Sequence, residues 1–492
     1  MAATHQPAAS FLGKFTVLNG AARELWLTFA IKLLNFAAYT VTNLTLKLWL
    51  SHEFGYSDQK AMHCVLVWSV SMTIVTLLVG SLTDAIGLRK TFFLGIWICI
   101  FARAVMVFAP TPWFAIGFGL FPLAVGEALG TPVLVAAVRK FSTTPQRSIA
   151  FSASYLMVNL GSLAAVFIFD WVRQGLGEHG RLALPLLDAH LTTYRTLFLV
   201  SFCIELLMLP LAWGMRPGVE VNDDGVKIIP PPAKNAGANL AAAFFHAVRD
   251  SAKDTVRLFR ELFQQSGFYR LLVFLLLIAF LKIVLMQMYY VFPEFGIREL
   301  GEGAPVGKLW GINAIVVISL LPFVGALTQR FPAYGMVTFG GIIVAASVFI
   351  MALPTAWFQP LADGAFGQWF GHGYLGLKGA VHPYYVMIAL YVVMLSVGEA
   401  FYSPRVYEYA AAIAPKGQEA SYGAFSYMPF LLAKLLFVTF SGDMLAKYCP
   451  ATGERHSETM WLLVALAATM APVGLIALRK FIRVPEAGRE KT

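Results

Sequence analysis

Two stretches of the chain repeat each other and set a carboxylate in apolar surroundings. They are Gly126-Glu127-Ala128-Leu129-Gly130-Thr131-Pro132 and Gly398-Glu399-Ala400-Phe401-Tyr402-Ser403-Pro404, 272 residues apart. Downstream, Ser154-Tyr155 matches Ser426-Tyr427 at the same offset. An ionisable group inside a bilayer is costly, and by default it marks a path for a solute or a proton. A carboxyl in low dielectric can carry a proton near neutral pH, so Glu127 and Glu399 are candidates for proton coupling. The other reading is an acid that bonds a neighbouring helix and sets packing, and the symmetry of the pair favours it. A third acid, Glu408, follows Glu399, with Arg405 three residues before it on the same helix face. Lys32 and Lys282 also fall inside apolar runs, away from their ends. They suit a carboxylate partner or an anionic solute; the alternative is snorkelling to an interface. Tyr39, Asn159, Gln287 and Asn313 could orient a solute without burying charge, or equally bond helix to helix. Arg103 suits an acid partner, and Lys434 and Asp443 are similar.

Such residues need a scaffold that holds them within a membrane. The chain has 492 residues, 58% hydrophobic and only 13% charged, against about 25% charged in ordinary soluble domains. A spanning helix needs about 20 apolar residues. Windows of that kind run over 25–50, 61–82, 92–110, 113–138, 148–172 and 194–215, then over 268–292, 306–328, 335–353, 384–413, 419–442 and 459–481. The expected fold is therefore an all-α membrane protein with twelve transmembrane helices in two pseudo-symmetric six-helix halves. The halves are residues 1–215 and 268–492, joined by a linker at 216–267. Lys and Arg concentrate on one side, in Arg89, Lys90, Arg139, Lys140, Arg147 and the linker. That distribution predicts a multi-pass protein of the plasma or inner membrane with both termini cytoplasmic. The apolar stretch that starts near Leu25 is too long for the core of a cleaved signal.

The linker opens with Asp223-Asp224-Gly225 and Pro230-Pro231-Pro232. Residues 240–264 then show helical periodicity, with Phe244, Val248, Phe259 and Phe263 on one face and Arg249, Lys253, Arg257 and Arg260 on the other. That pattern suits a helix lying on the cytoplasmic leaflet, or a plain connector. Residues 354–383 form an outside linker rich in Gly and aromatics. The net charge of +10 sits in loops, which points to anionic lipid and not to nucleic acid. Cys64, Cys99 and Cys203 lie within apolar windows and read as packing residues. No phosphate-cradling loop, metal-ligand spacing or nucleophile triad stands out, so no enzyme, cofactor or metal is expected.

After the second window comes Gly80-Ser81-Leu82-Thr83-Asp84-Ala85-Ile86-Gly87-Leu88-Arg89-Lys90. It resembles the loop signature of the major facilitator superfamily, G-x-L-x-D-x-x-G-x-[RK]-[RK]. Val324-Gly325-Ala326-Leu327-Thr328 echoes its start in the second half, where Gln329 replaces the aspartate. The resemblance implies a central cavity and rocking between inward-open and outward-open states. It makes Gly80, Asp84, Gly87, Arg89 and Lys90 a conformational gate away from the solute.

Several segments resemble the proton-dependent oligopeptide transporters within that superfamily. These are Phe151 to Leu163 with Tyr155 and Asn159, Asn313 to Pro322, and Gly398-Glu399 with Ser403-Pro404, Glu408 and Ala414-Pro415. Gln287 is a weaker match. The resemblance implies that Glu408 faces the cavity and holds a substrate amine or a proton. The family's first-helix E-x-x-E-R motif is missing: the stretch reads Ile31-Lys32-Leu33-Leu34-Asn35. Thr131 stands where the family has a lysine. The expectation is a monomeric secondary transporter of a small polar solute, a short peptide or an amine- or carboxylate-bearing metabolite. Protons coupled through Glu127, Glu399 or Glu408 are one option. An uncoupled facilitator or exchanger for an organic anion is the second, and a transporter-like sensor that moves nothing is the third.

Overall fold

The computed structural model of the chain describes residues 18–86, 88–184, 188–222, 225–228, 249, 253, 257, 260, 263–328, 331–413 and 428–483. Long helices meet every apolar window. The first group is α1 (Arg23–Phe54), α2 (Asp58–Ile86), α3 (Leu88–Phe108), α4 (Pro112–Lys140), α5 (Thr144–Leu176) and α6 (Thr193–Trp213). The second is α7 (Ser266–Tyr290), α8 (Val306–Leu327), α9 (Ala333–Ile350), α10 (Pro383–Ile413), α11 (Met428–Tyr448) and α12 (Ser457–Ala477). Among the described residues, nine of these are long and apolar enough to cross a membrane, and α8 adds a shorter apolar stretch, Val306–Leu321.

Local sequence sets the boundaries. Thr143 and Gln146 form a capping box at the start of α5, with proline in the first turn. The Thr192 side chain accepts the backbone N–H of Arg195 at the start of α6. A π-helical stretch, Ala115–Leu120, interrupts α4. The repeated glycines mark helix crossings. A Cβ on Gly126 would come within 3.1 Å of the Gly95 carbonyl of α3, and one on Gly398 within 2.8 Å of the Gly340 carbonyl of α9. The duplication thus preserves the same close approach of third and fourth helices in each half.

Within the first half α1 packs on α5 and α6, and α3 on α4 and α6; within the second α9 packs on α10 and α12, and α7 on α11 and α12. Across the divide α2 meets α11 and α5 meets α8. The end that carries residues 214–265 is called the linker end, and its opposite the far end. One continuous hydrophobic cluster joins both halves, including Trp49, Phe198, Val166, Phe292 and Trp461. A second cluster, with Leu25, Phe29, Phe92, Ile96 and Val133, lies in the first half and takes in Val219 and Val221 of the linker.

Several expectations need adjustment. The helix expected over 419–442 runs on to Tyr448, because Gly442 lets α11 sit against Asp58 and Gln59 of α2. Gly225 opens a strand, β4 (Gly225–Ile228), paired antiparallel with β3 (Val219–Asn222), while Asp223 and Asp224 lie outside the described residues. A first hairpin, β1 (Arg181–Leu184) and β2 (Ala189–Thr192), stands at the far end. The outside linker contains short helical turns, and the Tyr374 hydroxyl donates to the Lys308 carbonyl of α8 at 2.9 Å. In the amphipathic stretch 240–264, Arg249, Lys253, Arg257 and Arg260 are helical and exposed; its other residues, apart from Phe263 and Gln264, lie outside the described residues. All four cysteines are free.

Candidate functional site

The polar residues on α10 begin with Ser396 and Glu399, three residues apart and so on one face. Asn313 of α8 donates to both, at 3.0 Å to Ser396 Oγ and 2.9 Å to Glu399 Oε2. Lys282 of α7 is buried, with Nζ 3.5 Å from Ser403 Oγ and 4.9 Å from the centre of the Tyr402 ring. It lies within electrostatic range of Glu399. So do Tyr289 of α7 and, from the other half, Tyr155 of α5. Tyr289 packs edge-on against Trp310, with ring centres 5.7 Å apart. A carboxylate, an ammonium group, an amide and two phenols therefore share one locality, and the two halves both contribute. This set can hold a solute bearing both an amine and an acid.

Other expected residues are not part of that group. Lys32 donates to Ser154 Oγ of α5 at 2.6 Å, so its partner is a hydroxyl and not a carboxylate. Asn159 donates to the Tyr155 carbonyl in its own helix at 3.0 Å. Tyr39 is half-buried on α1, and its carbonyl accepts from Asn43 at 2.7 Å. Gln287 donates to Ser441 of α11 at 2.5 Å, a helix-to-helix bond. Lys434 lies 3.4 Å from the Ser69 carbonyl and 3.3 Å from Thr73 Oγ1 of α2, so it crosses the divide to neutral oxygens. Asp443 is exposed.

Glu408 stands apart as well. It pairs with Arg405 at 2.5 Å, and Arg405 also donates to Thr328 Oγ1 at the linker end of α8, at 2.8 Å. Nine residues of helix make two and a half turns and about 14 Å of rise. That puts Glu408 on the opposite face from Glu399 and near the end of α10.

Glu127 bonds Arg103 of α3, which also donates to Glu205 of α6 at 3.0 Å and to Ser201 at 2.7 Å. The acid partner expected for Arg103 is thus present twice. Sequence reasoning missed Glu205; its signal was an acid in the middle of the apolar window 194–215.

The far end carries an ionic closure that was also missed. Lys47 lies 2.6 Å from Asp58 and 2.8 Å from Glu294 of the second half. Arg298 contacts Asp58 at 3.0 Å and Glu294 at 2.9 Å. Asp170 of α5 accepts the backbone N–H groups of Gly307 at 2.9 Å and Lys308 at 2.6 Å, the open first turn of α8. A carboxylate from one half therefore caps a helix of the other. Arg173 ties Asp170 and Glu178 together and donates to the Ala304 carbonyl at 3.2 Å. Burial pushes the Asp58 and Glu294 carboxyls up, but Lys47 and Arg298 outweigh it and hold both below the usual carboxylate range. Burial opposes Arg173 at Glu178 in the same way, and Arg173 prevails. Among the described residues, every ion pair that joins the halves is at this end.

Of the expected gate, Gly80 and Asp84 fall in α2, while Gly87 and the side chain of Asp84 lie outside the described residues. Arg89 donates to the Trp213 carbonyl of α6 at 3.1 Å and stands over the Phe93 and Trp213 rings. Lys90 is exposed. The Arg89 contacts line an apolar groove of about 650 Å³ between α3 and α6, away from the divide between the halves.

Known structures share this fold. A proton dependent oligopeptide transporter superposes with a TM-score of 0.66 at 17% identity, over 94% of this chain and 98% of its own. A POT family transporter in complex with 5-aminolevulinic acid gives 0.66 at 16%, over 97% and 99%. A peptide transporter POT in complex with sulfate gives 0.66 at 14%, over 97% and 96%. A search of curated sequences finds no match. The sequence profile of the Major Facilitator Superfamily matches residues 28–376, well over half of the chain. The chain, a multi-pass membrane transporter and not an enzyme, belongs to the Major Facilitator Superfamily.

Proposed function

We propose that the chain is a secondary transporter with twelve membrane crossings. It moves a small solute bearing an amine and a carboxylate, a short peptide or an amino acid-like metabolite, by alternating access between residues 1–215 and 268–492. The observation that carries this reading is the Glu399–Asn313–Lys282 group, with Tyr155 of the other half within electrostatic range of Glu399. Glu399 takes the amine, Lys282 the acid, and Asn313 and the phenols orient the solute. The relative bound to 5-aminolevulinic acid, which carries both groups, supports that class. With the termini and linker cytoplasmic, the ionic closure at the far end makes this the inward-facing form. Arg405 and Glu408 belong to the cytoplasmic rim and its gate.

A second reading, facilitated exchange without protons, has one observation in its favour. The first-helix stretch holds Ile31, Leu34 and Asn35 in place of two acids and an arginine. Thermal stabilisation of the purified protein by a panel of di- and tripeptides and amino-carboxylates tests the site. Wild type is stabilised by at least one compound, and Glu399→Gln is not. Equal stabilisation of both would remove Glu399 from the site.

A further inference from the structure

We propose that Glu127, Arg103 and Glu205 bind one exchangeable proton, and that this triad, set within the first half, is the coupling-proton site. The inference deepens the transport reading and rests on it for the coupling; the proton itself stands on geometry. Arg103 is wholly buried, Glu127 is 4% exposed and Glu205 is 1% exposed. One guanidinium faces two carboxyls. With both ionised, the triad would bury a net negative charge, which low dielectric strongly opposes. A single proton shared by the two carboxyls makes the triad neutral, and the pair titrates as one unit.

Each carboxyl uses one oxygen on Arg103, and among the described residues neither makes another hydrogen bond. The remaining oxygens are where the proton sits. Beside Glu205 is a cavity of about 10 Å³ that Asn35, Thr91 and Cys99 also line, the room of about one water. Thr91 is in the first turn of α3, so this polar line points toward the linker end. A hydrated metal ion has no room there. The ionisable groups facing the triad are Tyr39 from α1 and Cys99 from α3. Neither supplies a positive charge.

The triad also touches what must move. Arg103 Nε donates to Ser201, and Ser201 donates to the Ala38 carbonyl of α1 at 3.1 Å. The same helix meets the second half through Asn43, which accepts the Tyr290 hydroxyl at 2.8 Å, and through Lys47 and Glu294. Protonation changes which acid holds Arg103, and α1 is the element that bears the change to the divide.

Infrared difference spectroscopy of the purified full chain in lipid tests the site. The carbonyl stretch of a protonated carboxylic acid is followed from neutral to alkaline pH. The expected result is a band that vanishes as pH rises and is missing in both Glu127→Gln and Glu205→Gln. Either variant leaves a neutral arginine–glutamate pair, so both fold with wild-type yield. A band unchanged in both variants, or no band at any pH, overturns the proposal. So does a band that sodium ions abolish at constant pH, which would make it a cation site. In proteoliposomes, both variants lose pH-driven accumulation at least tenfold but keep exchange of whichever peptide the wild type moves. Accumulation retained in both rejects the coupling role. If no solute moves in any of them while the band behaves as expected, the transport reading fails and the proton site stands.

Discussion

Glu127 and Glu399 hold equivalent places in the internal repeat, yet their partners divide them. Glu127 meets an arginine of its own half, while Glu399 meets an amide and lies near a lysine and two tyrosines at the divide. Replacing Glu399 by Gln removes one charge-assisted contact, about 1.5–3 kcal/mol, or roughly ten- to a hundredfold in affinity for an amine-bearing solute. Glu408→Gln leaves that affinity within about threefold. Titration of the stabilising compound against each variant decides between them; the reverse order would return the amine site to Glu408. Arg103→Met has a different outcome. It leaves two carboxyls without a cation, at a cost of about 3–5 kcal/mol, seen as a large fall in melting temperature. The sequence showed that an acid occupies each place, because charge in an apolar run is visible in one dimension. It could not show which neighbouring helix each acid meets. A cavity role for Glu408 follows from family likeness; the structure pairs it with Arg405, two and a half turns from Glu399, and the affinity of Glu408→Gln tests that role.

At the scale of elements, α5 and α8 are the contact that closes the far end. Asp170 caps α8 from the other half, and Gly307 and Gly311 let α8 approach Val166 and Leu163. Asp170→Ala removes a cap contact of about 1–2 kcal/mol and shifts the balance toward opening of the far end by roughly 5–30-fold. The assay is labelling of Val166→Cys by a membrane-impermeant maleimide. Val166 is buried at that contact, so labelling rises when the halves part. An unchanged rate would mean that the cap holds nothing shut. The helices themselves were legible, since each long apolar window holds a helix among its described residues. This closure was not, because it joins residues far apart in sequence, such as Asp58 with Arg298 and Lys47 with Glu294.

At the scale of the molecule, the far-end latch and the buried triad answer pH differently. Asp58, Glu294 and Glu178 are held below the usual carboxylate range by Lys47, Arg298 and Arg173 against the effect of burial. Groups lowered in the folded state contribute stability that is present above about pH 4, their unfolded values, and lost as pH falls through the folded ones. Relative to an exposed reference cysteine at each pH, since maleimide reacts with the thiolate, labelling of Val166→Cys is therefore not raised by these three groups between about pH 5 and 8, and rises on their account only in stronger acid. A rise near pH 6 would mean that another carboxyl of the latch, Asp170 at the α8 cap, senses protons. In the proposed account the proton response over that range comes from the Glu127–Arg103–Glu205 triad, and the latch opens through the solute and the rocking of the halves. The most direct measurement is uptake of a dipeptide and amino-carboxylate panel into proteoliposomes, with and without an inward proton gradient. At least one compound accumulates when the gradient is imposed, and Glu399→Gln abolishes its uptake. Stabilisation by a ligand that neither wild type nor any gradient moves would show a sensor and not a transporter.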